Sequence, residues 1–431
     1  MTEDRLDILI LGATGFTGLH CIPYVHKLSK ANGRNLTWGV AGRSEEKLQE
    51  VLKSTGEKIG VDLSNTPMVI TDIKSYDSLL LMAKKTKIVI NCCGPYQFLG
   101  EPVVKACIAA GTHHVDISGE PQYMEKMQLE QHQNAKEKGV YVISACGLDS
   151  IPSDLGVIFL KQNFDGVLNS VETYLEVWEE GNNSGAAINV GTWNSAVHSL
   201  AQWNELNDIR RKLFPKALPS FNPQLKKKLL PHKSDLVDGW IIPFPGADLP
   251  VMERTQRYLY EKESKRPIQV NTYFVVRSIF TVILFALGGA ILTILTKFNC
   301  GIKLLLNYPE VFSFGMVSKK QPSEEKIENS WFQVTLHGKG WSGPSEKGLN
   351  NYTIPYNKSI LGRVKGRNPT YGSTCICLVC AAIVVLTESD KMPEEGGVFP
   401  PGAAFENTSL ITLLKENEVT FDIISEQPIL R

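Results

Sequence analysis

"LDILILGATGFTG", residues 6–18, is the stretch that decides how this chain folds. Leu6 to Leu11 is an unbroken apolar run, the pattern of a central parallel strand covered on both faces. Gly12, Gly15 and Gly18 follow at intervals of three. In a dinucleotide-binding turn the first glycine permits the sharp bend and the second lets the backbone approach a pyrophosphate. The third lets the next helix pack closely on the strand. That helix start offers free N–H groups and the positive end of its dipole to phosphates. The same spacing occurs in plain strand–turn–helix corners, so the neighbouring segments carry the decision.

"LTWGVAGRSEEKL" (36–48) reads as a strand over 36–41, a turn at Gly42 and a helix from Ser44. An enzyme preferring NAD carries Asp or Glu at this strand end to hold the ribose 2′-hydroxyl. Here stand Gly42-Arg43-Ser44, with Lys47 one turn on. A guanidinium forks onto a phosphate, so Arg43 with Lys47 predicts NADP(H). A third strand ends at Thr71-Asp72, where the adenine edge is expected. A fourth, within "KIVINCCGPYQF" (87–98), runs into Cys92-Cys93-Gly94-Pro95-Tyr96. Ligands of open parallel sheets lie outside the carboxyl ends of the strands, which puts Gly94 and Pro95 near the nicotinamide ribose. "HHVDISGE" (113–120) and "GVYVISACGLDS" (139–150) supply two more strands. Strands alternating with helical stretches predict a doubly wound α/β domain, a Rossmann sheet over residues 1–150. Its expected cofactor set is Gly12, Thr14, Gly15, Phe16, Gly18, Arg43, Lys47, Asp72, Gly94 and Pro95.

Lys+Arg and Asp+Glu both number 45, which leaves no basic excess for nucleic acid. Acids precede the first apolar run, unlike a secretory leader, so the cytosolic side is expected. Asn351-Tyr352-Thr353 is then a chance glycosylation match. The nine cysteines follow no disulfide-scaffold pattern, and no metal site is expected.

"GATGFTG", "AGR", "NCCGPY", "VDISGE", "ACGLDSIPSDLG" and "GGVFPPGAAF" together resemble the saccharopine dehydrogenase family, nearest its animal branch. The resemblance implies an oxidoreductase with a second, α+β domain over residues 151–431. Some bacterial relatives act as trans-acting enoyl reductases in lipid assembly. Saccharopine-forming reductases show Gly-x-Asp-Pro-Gly after the sixth strand, whereas this chain has Gly147-Leu148-Asp149-Ser150-Ile151-Pro152. That difference argues against lysine metabolism.

"SVETYLEVWEE" (170–180) and "SWFQVTLHGKGW" (330–341) alternate apolar and polar residues as half-exposed strands do. The resemblance places both in the second domain's sheet. Between them "SIFTVILFALGGAILTILT" (278–296) runs without a charge. Its length meets the threshold of roughly 18 residues for a membrane helix, and a soluble helix rarely lacks a polar face for so long. A crossing would put the two strands on opposite sides of the bilayer. Gly288-Gly289 divides the run into halves of about ten residues, each near 15 Å if helical. A hairpin dipping into one leaflet, or into a lipid-droplet monolayer, satisfies both constraints. The cytosolic face of membranes or lipid droplets is therefore the expected location. "CICLVCAAIVVL" (375–386) is instead expected to be a buried helix.

Reduction by NADPH needs a hydride carrier, an acceptor and often a proton donor within reach. The catalytic candidates are Tyr96, Asp149 and Asp154. Tyr96 either donates a proton or stacks on the ribose, and Asp154 fits equally as a helix cap. Three functions stand. One is an NADP(H)-dependent oxidoreductase acting on a lipid or lipid-linked carbonyl or enoyl substrate at a membrane or droplet surface. Another is a catalytically inactive NADPH-binding droplet scaffold, and the third a soluble saccharopine-type dehydrogenase. A homodimer is left open.

Overall fold

The computed structural model describes residues 5–180, 188–219, 221–318, 328–343 and 355–429. Asn351-Tyr352-Thr353 lies outside them. The chain forms two compact units. The first comprises Met1–Leu148, Tyr371–Phe399 and Asn407–Asn417, and the second Asp149–Thr370, Pro400–Glu406 and Glu418–Arg431.

In the first unit, β1 (Leu6–Leu11), β2 (Trp38–Gly42), β3 (Met68–Ile70), β4 (Thr86–Asn91), β5 (His113–Asp116) and β6 (Tyr141–Ile143) lie parallel in the order 3-2-1-4-5-6. This is the dinucleotide-binding order, with the topological switch between β1 and β4. Helices α1 (Phe16–Leu28), α2 (Glu45–Ile59), α3 (Tyr76–Ala83), α4 (Tyr96–Ala110) and α5 (Pro121–Glu137) alternate with the strands. Ile8, Leu9 and Ile10 have no exposed surface, as an apolar central strand requires.

The division expected at residue 150 meets a chain that is more interleaved. The first unit ends at Leu148 and then takes back two later segments. Gly397–Phe399 pairs parallel beyond β6 and closes that edge of the sheet. Helix Thr374–Thr387, which contains the cysteine-rich stretch, packs against α1, β4 and β5 as a core helix.

The second unit contains α6 (Ile151–Gln162), β7 (Val167–Glu179), the short β8 (Ile188–Asn189), α7 (Val190–Ala201), α8 (Trp203–Leu213), β9 (His232–Ser234), β10 (Val237–Pro243), α9 (Asp248–Glu263) and β11 (Gln269–Val276). Then come α10 (Ile279–Leu295), α11 (Asn299–Asn307), α12 (Pro309–Phe312), the short β12 (Val317–Ser318), β13 (Ser330–Trp341) and β14 (Lys358–Arg367). Its seven-stranded mixed sheet runs Thr420–Pro428, β14, β13, β7, β11, β10, β9. The two alternating segments are antiparallel neighbours, paired from Ser330–Glu179 to Trp341–Val167 with one register shift between Lys339 and Gly340.

That register fixes what the apolar segment does. β11 precedes it and β13 follows it, and both flank β7 in one sheet. The segment therefore leaves and re-enters the same sheet. The hairpin expected at Gly288-Gly289 is not formed, because α10 runs unbroken through both glycines. At roughly 1 kcal/mol each against alanine, two glycines do not break a helix flanked on both sides by Ile and Leu. The chain turns instead at Thr296–Phe298, where Lys297 and Phe298 donate back to Ile294 and Leu295. Leu292 and Leu295 anchor α10 to a small core of Trp193, Val197, Leu305 and Val317. Only Val282 and Gly288 of α10 are buried. Phe280 is 76% exposed, and Leu287 and Ile294 are more than half exposed. Phe298, Tyr308 and Val311 continue the exposed apolar surface beyond the turn.

Candidate functional site

At the end of β1, Gly12 turns the chain with φ +84°, and a Cβ there would stand 2.5 Å from Cys93 Sγ. Its N–H donates to Ala41 O, and its carbonyl accepts from Gly15 N at 2.8 Å. A Cβ on Gly18 would meet Gly12 O at 2.2 Å, so α1 sits directly on the turn. No side chain caps α1, its first turn holds no acid, and Thr14 and Gly15 are exposed. An uncapped helix start beside an exposed glycine turn is an anion site. The Phe16 ring lies edge-on to Tyr371, with centroids 4.1 Å apart.

Arg43 and Lys47, at the end of β2, are exposed. Neither makes an ion pair among the described residues. Ser44 caps α2 by accepting from Lys47 N and donates to Glu46, keeping that acid off the two bases. Burial pushes the Cys93 thiol up to about 12, and the charge of Arg43 opposes the shift, so the guanidinium stands near the glycine turn. At the end of β3, Asp72 is exposed and accepts from Lys74 N.

Beyond β4 the pattern reverses. Glu120 accepts from Tyr96 N at 3.0 Å and Gln97 N at 2.8 Å, so a protein carboxylate fills the start of α4. Of these two helix starts, α1 is the one left open to a phosphate. Asn91 braces the loop carrying Gly94 and Pro95: its Oδ1 accepts from Cys93 N and its carbonyl from the Tyr96 hydroxyl. Behind it lies a network around Asp116, a residue the sequence offers as a strand-end polar candidate without naming its partners. Buried Asp116 accepts from Ser118 N, Tyr123 OH, Ser144 Oγ and Ala145 N. Burial raises its carboxyl to about 6 and lowers neighbouring His114 to about 3, leaving that imidazole neutral beside Asn91 Nδ2. The only signal for this network was a set of polar residues at strand ends.

The three acid–base candidates are placed very differently. Tyr96 is buried and its hydroxyl proton goes to Asn91 O, so the expected donor role does not fit this geometry. Asp154 is also fully buried. It accepts from Thr255 Oγ1 at 2.7 Å and Gly402 N at 2.6 Å, and so ties α6 to α9 and to helix Pro401–Phe405. It is neither a surface acid nor the cap of α6, which Ser150 precedes. Burial lifts its carboxyl to about 7, with those hydrogen bonds pulling back. Asp149, first residue of the second unit, is exposed, yet desolvation by the surrounding protein raises its carboxyl. Among the described residues no group of His, Cys, Asp or Glu suits a metal ion.

The sequence profile of the saccharopine dehydrogenase NADP binding domain matches residues 8–143. A human saccharopine dehydrogenase-like oxidoreductase is 39% identical over 433 residues, covering 99% of this chain and 100% of that protein. The chain belongs to the saccharopine dehydrogenase-like oxidoreductases. A Caenorhabditis elegans member named lipid droplet localized protein is 36% identical over 428 residues, 98% of this chain and 99% of that one. Apo saccharopine dehydrogenase (L-Glu forming) from Saccharomyces cerevisiae shares the fold, with TM-score 0.53 and 14% identity over 97% of this chain and 100% of that one. As in the family, the first unit is an NADP-binding domain and the cofactor is a nicotinamide dinucleotide. The turn at Gly12 and the uncapped start of α1 fit its pyrophosphate.

Proposed function

We propose that this protein is an NADP(H)-dependent oxidoreductase that reduces a lipid or lipid-linked carbonyl or enoyl group at the cytosolic surface of a membrane or lipid droplet. The observation carrying this reading is α10, an uncharged helix with Phe280, Ile283, Leu287 and Ile294 exposed, in a segment that leaves and re-enters one sheet. A 17-residue helix is about 26 Å long, short of the roughly 30 Å hydrocarbon core. Lying in the interface plane, its apolar face enters one leaflet or a droplet monolayer.

In this reading Gly12, Thr14, Gly15, Phe16 and Gly18 hold the pyrophosphate at the start of α1. Arg43 and Lys47 take the 2′-phosphate, which selects NADP(H) over NAD(H). Asp72 borders the adenine, and Gly94 and Pro95, braced by Asn91, border the nicotinamide ribose. The bound cofactor supplies a hydride. Asp149 is the proton donor, being the exposed carboxyl of the three candidates and one held towards its protonated form. Tyr96 holds the loop after β4 through Asn91, and Asp154 holds α6 to α9 within the second unit.

Energy transfer from the seven tryptophans to bound cofactor tests the first half. NADPH is expected to bind more tightly than NADH. Arg43→Ala with Lys47→Ala should weaken NADPH roughly 10–100-fold and leave NADH unchanged, the loss of one or two charge-assisted contacts. Equal binding of both cofactors by the unmodified chain would overturn the 2′-phosphate assignment. Flotation with phospholipid-coated triglyceride droplets tests the second half, and a chain that stays at the bottom of the gradient refutes it. The burial of Tyr96 and Asp154 favours one alternative, an NADPH-binding scaffold without turnover. An Asp149→Asn variant that keeps full cellular function would select it.

A further inference from the structure

The most exposed large apolar side chains among the described residues are Leu230, Phe280 and Leu229, at 78, 76 and 74%. Phe280 lies in the first turn of α10. Leu229 and Leu230 lie earlier in the chain, in the segment that enters the edge strand β9.

Both features stand at the same end of the second sheet. Residues 223–228 form a strap along β11, held by three side chains of that strand. Gln269 donates from Nε2 to Pro223 O and accepts at Oε1 from Leu225 N, both at 2.9 Å. Asn271 Nδ2 donates to Lys226 O at 3.3 Å, and the Tyr273 hydroxyl accepts from Lys228 N at 3.3 Å. Gln269, Asn271 and Tyr273 alternate along the strand and so share a face. The strap therefore runs with β11, towards the end where that strand passes into α10. Beyond the tie at Lys228 the chain turns through Leu229, Leu230 and Pro231. It enters β9 at His232, which pairs with Ile241, the partner of Val275. Leu229 and Leu230 are thus level with residues 273–275, shortly before Ser278 caps α10. At the strand rise, three to five residues are roughly 10–17 Å.

The charges around the pair narrow the partner. Lys227 lies 3.9 Å from Glu253, and Lys228 lies 3.4 Å from Glu172. Lys233 stands over the Trp240 ring, and Asp235 and Asp238 follow in the β9–β10 hairpin. Of the three consecutive lysines, Lys226 alone makes no ion pair among the described residues. Bases matched by acids in this way leave no patch to select anionic lipid. A protein partner is also a poor fit, since specific interfaces bury roughly 800 Å² per side and two leucines offer far less. An apolar pair among polar neighbours suits a shallow insertion at a lipid interface. A chain held by α10 alone could still roll about the helix axis, and a contact on another element removes that freedom. We propose that Leu229 and Leu230 are a second lipid anchor, inserting into a zwitterionic phospholipid layer and fixing how the second unit meets it. The proposal rests on the reading of α10 as lipid-bound.

The test is flotation of the full chain with triolein droplets coated with dioleoylphosphatidylcholine. Leu229→Ser with Leu230→Ser should lower the partition constant roughly 10–100-fold and leave the urea midpoint unchanged. Leu229→Trp with Leu230→Trp should restore it, because indole suits the headgroup boundary. Added salt should not release the unmodified chain. If the unmodified chain does not float, the reading of α10 fails and this one falls with it. If it floats and the serine variant floats equally well, the second anchor alone fails. A requirement for anionic lipid overturns the proposal, and so do serine substitutions that change the mass in sedimentation but not the flotation.

Discussion

Helix Thr374–Thr387 and α10 are built from similar apolar, uncharged residues and end in opposite surroundings. Twelve residues of the first are buried, against two of the second. A helix that is apolar all round belongs either in a core or against lipid, and hydropathy does not separate the two. Side-chain size does better here. Thr374–Thr387 carries Cys375, Cys377, Cys380, Ala381 and Ala382, compact groups that let α1, β4 and β5 approach closely. α10 carries Phe280, Phe285 and a run of Ile and Leu, which make a broad outer face and few close contacts. Protein interiors demand tight fit, whereas a fluid monolayer does not.

The largest expected break in this comparison is Leu378→Asp. A carboxylate placed without partners in that helix should cost at least about 4 kcal/mol, read as lost soluble yield or a collapsed urea midpoint. The matching change in α10, Ile283→Asp with Leu287→Asp, should leave the urea midpoint within about 0.5 kcal/mol and abolish droplet flotation. A destabilised α10 variant would mean that this helix is covered by protein after all.

A polar version of the contrast is Asp154, buried like the first helix but ionisable. Its carboxyl is raised to about 7, above the unfolded value near 4. Its contribution to stability is therefore whole below about pH 4 and is lost as pH rises towards and through 7. Asp154→Asn keeps the oxygen that accepts from Thr255 and Gly402, and it should flatten the decline of stability between pH 5 and 8. An unchanged pH profile would place the titration elsewhere. The smallest effect is Gly289→Ala. An added Cβ there meets nothing within 4 Å, so a continuous helix should gain about 0.5–1 kcal/mol. A loss would revive the hairpin at this point.

Parts of the molecule with a strong local period are legible in the amino-acid sequence. β1, its glycine turn and α1 follow from thirteen residues, and β7 and β13 declare themselves by alternation. Arg43 marks the end of β2 because strand, turn and helix leave it one place to stand. The return of Gly397–Phe399 is not legible, since three residues have no period and the partner strand β6 lies some 250 residues earlier. Nor is the orientation of Tyr96 or Asp154. Whether a polar side chain points to solvent or into a network depends on partners such as Asn91 and Gly402, which its own neighbourhood does not name. The two glycines of α10 mislead for a related reason: a turn signal is weak beside strong flanking helix formers.

The interleaving of the two units has a consequence for synthesis. The first unit's sheet lacks its covering helix and seventh strand until residues 371–399 have left the ribosome, more than 220 residues after Leu148. At about 5–20 residues per second, that interval lasts roughly 10–45 s. Throughout it, the apolar surfaces of α1, β4 and β5 wait without their partner. The nascent chain is thus a natural client for a chaperone, and neither unit can be made whole by cutting the gene once.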